Sequence, residues 1–336
     1  MPRYQGGRVG GPVQLFGGGV GRCAATGIGI GCARCGQTCA GARAVFSRGG
    51  SPGGGRISRG VVSQSIAVAS RATVKPLNRL CRQQVAPLRG VVFDIDGTLL
   101  TDGKLTAAAV DALWQMSAAG LRLIACTGRS ARWGALLMRI LPLQACVVEN
   151  GALAFVAHGR GALLQDAAAG DRSRRKAALR KMAEQLIGRF SDLVYTDDND
   201  GRISDIAFDV GELHHMPQQR VMEVCRYAHR LGAHTFTSAI HLHITLAGDD
   251  KTSGTLRVLQ QHFGDDPTEA LYRYAFVGDS GNDAACFNAF AITFGVANIA
   301  PYIHLLTCPP RFLCSREQGA GFAQMASRIV ALRGQR

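Results

Sequence analysis

Four polar clusters punctuate the chain between residues 94 and 283, and their residue types point to phosphate and hard-cation chemistry. Asp94-Ile95-Asp96-Gly97-Thr98 sets two carboxylates one residue apart. Thr127-Gly128-Arg129 offers a hydroxyl, a glycine amide and a guanidinium, all suited to phosphate oxygens. Gly248-Asp249-Asp250-Lys251-Thr252-Ser253-Gly254 supplies a lysine at the opening of a helical pattern. Gly278-Asp279-Ser280-Gly281-Asn282-Asp283 places two more carboxylates and two glycines on one tight loop. Oxygen ligands of this kind suit Mg²⁺, a hard ion that takes one or two carboxylates and keeps several waters. Taken singly, each cluster also fits a solvated turn, a helix cap or a surface lysine. Together and in order, they fall where an open sheet binds ligands, past the carboxyl ends of strands.

The elements that must position them are short, uniformly apolar runs: Val91-Val92-Phe93, Leu121 to Ala125, Ala145 to Val148, Tyr274 to Val277 and Ala291 to Val296. Continuous apolarity suits strands covered on both faces, as in a parallel sheet. Between the first two, residues 105–119 set Leu105, Ala109, Leu113 and Met116 near one helical face, and Gly120 supplies a stop. Strand, helix, strand in this order gives a doubly wound, Rossmann-like α/β sheet. Residues 160–247 break the rhythm. A helix pattern over about 173–190, a strand pair around Leu193 to Val210 turned at Asp198-Asn199-Asp200-Gly201, a helix over about 217–231 and a second strand pair around 234–246 read as an inserted α+β cap.

Charge and glycine are distributed unevenly along the 336 residues. The net charge of +14 comes largely from residues 1–90, which hold 13 Lys plus Arg, no Asp or Glu, and 20 of the 42 glycines; the remainder carries 25 basic against 24 acidic residues. That argues against nucleic-acid binding by the folded part. Residues 1–85 lack a sustained apolar period and read as a disordered basic segment. A transit-like leader, a loosely binding basic tail and translation from too early a start all fit its composition, and a start near Val74 would place the domain after a short leader. Cys23, Cys32, Cys35 and Cys39 match no standard zinc spacing. No run is apolar enough to span a membrane. The six cysteines beyond residue 90 show no paired spacing, which suits reduced thiols and a cytoplasmic protein. The expected division is 1–85 basic segment, 86–158 first part of the core, 159–247 cap and 248–336 second part of the core.

The ordered motif set, with the inserted cap and Glu149-Asn150-Gly151 after the third strand, resembles the haloacid dehalogenase-like hydrolases, and within them the type-IIB, Cof-like phosphatases. The resemblance covers about residues 91–330. It implies that Asp94 is a nucleophile forming an aspartyl-phosphate, and that Asp96 is the acid and then the base. It further implies that Mg²⁺ is held by Asp94, Asp279 and the Asp96 carbonyl, with Asp283 supporting the metal shell. Thr127, the Gly128 amide and Lys251 would bind the phosphoryl group, with Arg129, Asn150 and Asn282 around the substrate or behind the site. Asn282 could position Lys251 or metal-bound waters. Cof-like sequences usually place Gly directly after the motif lysine, whereas Thr252 and Ser253 intervene here; Asp249 and Asp250 could pair with Lys251, and Asp250 could equally cap the helix.

The implied activity is hydrolysis of a small phosphorylated metabolite, a sugar phosphate or phosphorylated cofactor, by a monomer or homodimer. A phosphomutase of the phosphomannomutase-like type shares the fold and the Asp pair, and motifs alone do not separate the two. His241 and His243 alternate on one cap strand and read as solvated rather than as ligands. Cys126, beside Thr127, reads as an inert buried thiol.

Overall fold

The computed structural model describes residues 74–159, 161–166, 171–238 and 240–334. The basic glycine-rich stretch through residue 73, with its four cysteines, lies outside the described residues, as does whatever was expected of it. The strands, in chain order, are β1 (Lys75–Pro76), β2 (Gly90–Phe93), β3 (Arg122–Cys126), β4 (Ala145–Val148), β5 (Leu153–His158), β6 (Gly161–Asp166), β7 (Val194–Tyr195), β8 (Asp205–Asp209), β9 (His234–Thr237), β10 (His241–Thr245), β11 (Tyr274–Gly278), β12 (Ile292–Gly295) and β13 (Phe312–Leu313). The helices are α1 (Arg82–Val85), α2 (Ala107–Ala118), α3 (Ala131–Ile140), α4 (Arg172–Arg189), α5 (Gln218–Arg230), α6 (Lys251–Phe263), α7 (Pro267–Arg273), α8 (Ala284–Ala289) and α9 (Gln318–Gly334).

Nine strands form the core sheet in the order β1-β13-β12-β11-β2-β3-β4-β5-β6. It is parallel from β1 to β4, and β5 and β6 add an antiparallel hairpin at one edge. The apolar runs read as parallel strands are strands of this sheet. Every residue of β2, β4, β11 and β12 is buried because helices cover both faces. Val91 and Phe93 pack with Leu113, Met116, Phe322 and Ile329 from α2 and α9, while Val92 points the other way, toward Leu259 and Phe287 of α6 and α8. Thr106 caps α2 by accepting the Ala109 amide, and Gly120 takes the positive φ (+77°) that ends it.

The inserted unit is a four-stranded antiparallel sheet, β7-β8-β10-β9. On one face, Phe208, Leu242 and Ile244 meet Leu179, Ala183 and Val224 of α4 and α5. The opposite face carries Asp205 and Asp209 from β8 and His241, His243 and Thr245 from β10, paired in register. All residues of both strands are buried, so this polar face is also covered.

Two expected boundaries are corrected. Residues 75–85 do not belong to a disordered segment: β1 pairs with β13, and Leu77, Leu80 and Val85 are buried in the core. The cap does not begin at 159, since β6 pairs with β5 and extends the core sheet; α4, capped by Asp171, opens the cap. Among the described residues, no helix is long and apolar enough to cross a membrane.

Candidate active site

β2 and β11 are neighbours, and their carboxyl ends deliver the first carboxylates. Asp94 is fixed by its amide, which donates to the Val277 carbonyl at 3.0 Å, and the side chain is buried. The chain then turns through Gly97 at φ +71°, where a Cβ would collide with the Asp279 carboxylate. After Gly278, the loop is folded back by Asp283, whose Oδ2 accepts the amides of Asp279 (3.0 Å) and Ser280 (3.2 Å).

Lys251 is the first residue of α6, and its side chain is 2% exposed. Its Nζ donates to Asp94 Oδ1 and Asp283 Oδ1, each at 2.7 Å. The expected competition from the two preceding acids does not occur. Asp250 accepts the Ser253 amide as the helix cap, and Asp249 pairs with Arg257. Gly254 is needed one turn on because a Cβ there would come within 2.5 Å of the Gly151 backbone. That close approach seats the start of α6 beside Asn150-Gly151.

Oxygens of Asp94, Asp279 and Asp283 lie within 4.8 Å of one another. Burial raises the Asp94 carboxyl well above its ordinary value, with Asp283, Asp279 and Asp96 adding to the rise and Lys251 opposing it. Burial and then Asp283 push Asp279 up to about 7, again against Lys251. Two buried carboxylates and the half-buried Asp279 share one ammonium, an excess of negative charge that a divalent cation would relieve. Asp283 has already committed its oxygens to Lys251 and two amides, so Asp94 and Asp279 keep the lone pairs. Hard oxygen donors under this repulsion fit a magnesium-like ion.

Arg129 is buried and binds Asp96 through two parallel bonds, Nε to Oδ2 at 2.9 Å and Nη2 to Oδ1 at 2.8 Å. The same Nη2 reaches Glu212 of the cap at 3.0 Å, and these carboxylates hold the guanidinium charged despite its burial. The Thr127 hydroxyl accepts the Arg129 amide at 3.1 Å, leaving its own proton to donate. Asn150 sits in the left-handed region at φ +54°, is 3% exposed, and its Nδ2 has no hydrogen-bond partner. Asn282 does not meet Lys251; its Oδ1 accepts from the Ser280 hydroxyl at 2.7 Å.

The polar face of the cap closes over these groups. Arg202 donates to the Gly128 carbonyl at 3.0 Å and is itself bound by Asp198 and Asp205. His241 lies 2.7 Å from Glu212, and His243 lies 2.9 Å from Asp205. Both histidines are 3% exposed, so the expectation that they are solvated is wrong: the core covers the face on which they alternate. Glu149 pins the cap to the core. Its carboxylate accepts the Ala131 amide of α3, the Ile203 and Ser204 amides, and the Ser204 hydroxyl at 2.6 Å. Burial, then Asp205, push it up to about 7 against those donors. Cys126 is buried with its thiol pushed up to about 12, as an inert thiol requires.

Three contributors escaped the sequence. Asn298 donates from Nδ2 to Asp279 Oδ2 (2.9 Å) and to the Gly97 carbonyl (3.0 Å), tying the two acidic loops together. Glu212 and Arg202 come from cap loops far from every motif. The available signal was the run of polar residues alternating with apolar ones in β8 and β10, a second face too polar to be left without partners.

Residues 91–199 match the family model described as haloacid dehalogenase-like hydrolase. No curated protein matches the chain. Among solved structures, a Thermoplasma acidophilum protein is similar with a TM-score of 0.57 and 18% identity, over 72% of this chain and 98% of that one. The sucrose-phosphatase of Synechocystis, solved with sucrose and phosphate, is similar with a TM-score of 0.53 and 16% identity, over 72% and 98%. A haloacid dehalogenase-like hydrolase from B. subtilis gives 0.54 and 15%, over 71% and 99%. At these identities the likeness is one of fold.

Proposed function

We propose that the chain is a haloacid dehalogenase-like phosphatase of the Cof-like type, which removes phosphate from a small phosphorylated metabolite through an aspartyl-phosphate on Asp94. The observation that carries this reading is Lys251, buried and bonded at once to Asp94 and Asp283 beside Asp279. A lysine there lowers the charge barrier between a carboxylate nucleophile and an anionic phosphate.

Asp94 and Asp279, with the Asp96 carbonyl, would hold Mg²⁺. When bound, the ion neutralises charge on the carboxylates and on the transferring phosphoryl group. The chain's own groups do the rest. Asp94 attacks phosphorus, so a bond from its carboxylate oxygen to phosphorus forms as the ester oxygen–phosphorus bond breaks. The departing oxygen takes its proton from Asp96. Water then attacks the aspartyl-phosphate and gives a proton back to Asp96, releasing phosphate and restoring Asp94. Thr127 Oγ1, the Gly128 amide and Lys251 bind the phosphoryl oxygens through these steps.

Both Asp96 oxygens are taken by Arg129 in this arrangement, so proton transfer requires Arg129 to slacken its grip. Glu212 supports such a shift by offering the guanidinium a second carboxylate from the cap.

Phosphate release from a panel of phosphate monoesters, led by sugar phosphates, tests the reading. Release that needs a divalent cation and is abolished by a chelator is the expected result. No release from any member, with or without Mg²⁺, would overturn it. Conversion of a hexose 1-phosphate to its 6-isomer without free phosphate would establish a mutase instead.

A further inference from the structure

The loop from Thr127 to Ser130 finds most of its backbone hydrogen bonds within the core. The Thr127 amide donates to the Val147 carbonyl at 2.9 Å, and the Thr127 carbonyl accepts the Asn150 amide at 3.2 Å. The Arg129 amide donates to Thr127 Oγ1, the Arg129 carbonyl accepts the Glu149 amide at 3.0 Å, and the Ser130 carbonyl accepts the Trp133 amide of α3. Three groups remain: the Gly128 amide, the Gly128 carbonyl and the Ser130 amide. Among the described residues nothing accepts from the Gly128 amide, the group expected to meet a phosphoryl oxygen. The cap satisfies the other two. Arg202 Nη1 donates to the Gly128 carbonyl at 3.0 Å, and Asp198 Oδ2 accepts the Ser130 amide at 3.3 Å.

Asp198 and Arg202 reach the loop as one unit. Arg202 donates to Asp198 from Nε to Oδ1 at 2.9 Å and from Nη2 to Oδ2 at 3.1 Å, and to both oxygens of Asp205 from Nη1 at 3.2 and 3.1 Å. The Arg202 side chain has no exposed surface and that of Asp198 is 10% exposed. Behind them, the Arg202 carbonyl accepts from Lys176 of α4 at 2.9 Å. All these partners belong to the cap, so the fork is set within the cap itself. On the other side of the loop, a Cβ on Gly128 would lie 3.1 Å from Asn150 Oδ1 and 3.4 Å from His243 Nε2, so core and cap pack directly against it.

We propose that Asp198 and Arg202 are positioning residues, a cap-borne clamp that completes the phosphate-binding loop from outside the core. Each peptide unit flanking Arg129 has one bond to the core and its second to the clamp. Without the second bond the unit can turn about Gly128, the loop residue with the widest backbone freedom, and Thr127 Oγ1 loses the amide that orients it. Donors already in place bind an anion more tightly than donors that must first be arranged. Charge alone does not account for the pair, because Asp198 brings a negative charge toward a site for anions; what it contributes is a partner for the Ser130 amide and a fixed direction for Arg202. On the phosphatase reading above, on which this rests, the phosphate site of the core is unfinished until the 198–202 turn of the cap is seated on it.

The test is calorimetric titration of the full-length chain with inorganic phosphate at saturating Mg²⁺, using variants shown to be folded by thermal unfolding. Phosphate has no leaving group, so a cap residue that only recognises the leaving group leaves its Kd unchanged. Asp198→Ala removes a negative charge beside an anion site and by charge alone would tighten phosphate binding; loss of the clamp should instead weaken it at least tenfold. Arg202→Lys keeps the charge but loses the fork, and should weaken it as much. Asp200→Ala, on the same turn but exposed and making no bond to the loop, should stay within threefold of the parent. Asp198→Asn, nearly the same shape, stands in with the same expectation if the alanine variant fails to fold. A loss below tenfold or any tightening in the folded Asp198 variant, or an equal loss in Asp200→Ala, would overturn the clamp and leave the phosphatase reading standing. A parent chain that binds no phosphate would remove that reading and the clamp with it.

Discussion

The ammonium of Lys251 sits 2.7 Å from the carboxylate of Asp94, a residue 157 positions earlier, and the contact is sealed from solvent. It is made because α6 opens beside Gly151 and Lys251 is its first residue. Removing the Asp94 charge while keeping its volume should therefore silence the chain without unfolding it. For Asp94→Asn, turnover should fall by about a hundredfold or more, the range usual when a covalent nucleophile is lost. The melting temperature should stay within a few degrees, since one acid leaves a crowded acidic cluster. Both are read from phosphate release and thermal unfolding.

Arg129 and Glu212 give a second outcome. Arg129→Lys keeps the charge but loses the two-pronged hold on Asp96, and kcat should fall by about ten- to a hundredfold as proton transfer loses its orientation. Glu212→Gln removes the second landing point for the guanidinium and should lower kcat more than it changes KM. A rise in KM with kcat unchanged, so that kcat/KM falls by the same factor, would show that Glu212 acts only in binding.

Asn298 joins the Gly97 carbonyl to Asp279, so Asn298→Ala should loosen the acidic loops rather than remove a reacting group. The Mg²⁺ concentration for half-maximal phosphate release should rise by about ten- to a hundredfold, the usual effect of losing a bond to a ligating group. At saturating Mg²⁺, kcat should return to within a few-fold of the parent. A lowered kcat at saturation with unchanged Mg²⁺ dependence would contradict this role.

How much of this was legible in the sequence follows from chain distance. The Asp94/Asp96 pair, Thr127-Gly128-Arg129, Lys251 and the Asp279–Asp283 loop each declare themselves locally, because a strand end followed by polar and glycine residues is a short-range pattern. Their shared sheet follows from uniformly apolar runs. Lys251's freedom from Asp249 was not legible, since Arg257, the partner that takes Asp249, lies two helical turns on. Nor was the burial of His241 and His243, which depends on the core covering a cap face it meets only after folding. Residues 75–85 were misassigned because two strand residues and three spaced apolar side chains are too few to stand out beside a basic, glycine-rich neighbour.

Two buried groups should give stability opposite pH slopes. Glu149 has its carboxyl raised from an ordinary 4.5 to about 7, so it stabilises the fold fully below 4.5 and loses that contribution as pH rises toward 7. The loss amounts to about 3 kcal/mol at most, from a shift of about 2.5 units. His243 is lowered from its ordinary 6.5, mainly by burial, so its contribution is present above 6.5 and is lost as pH falls below it. Between about pH 4.5 and 6.5 the two oppose each other. Denaturant unfolding should show Glu149→Gln losing stability on acidification through that window and His243→Phe gaining it. Parallel slopes in the two variants would contradict these assignments.

The central claim is that Asp94 carries the phosphoryl group. A single turnover with an excess of chain over a good phosphate ester, quenched in acid, followed by digestion and mass measurement, tests it most directly. The account predicts a phosphoryl mass increment on the peptide containing Asp94, present transiently and absent from Asp94→Asn. Phosphate released at the normal rate with no such adduct at any quench time, or an adduct on another residue, would contradict it.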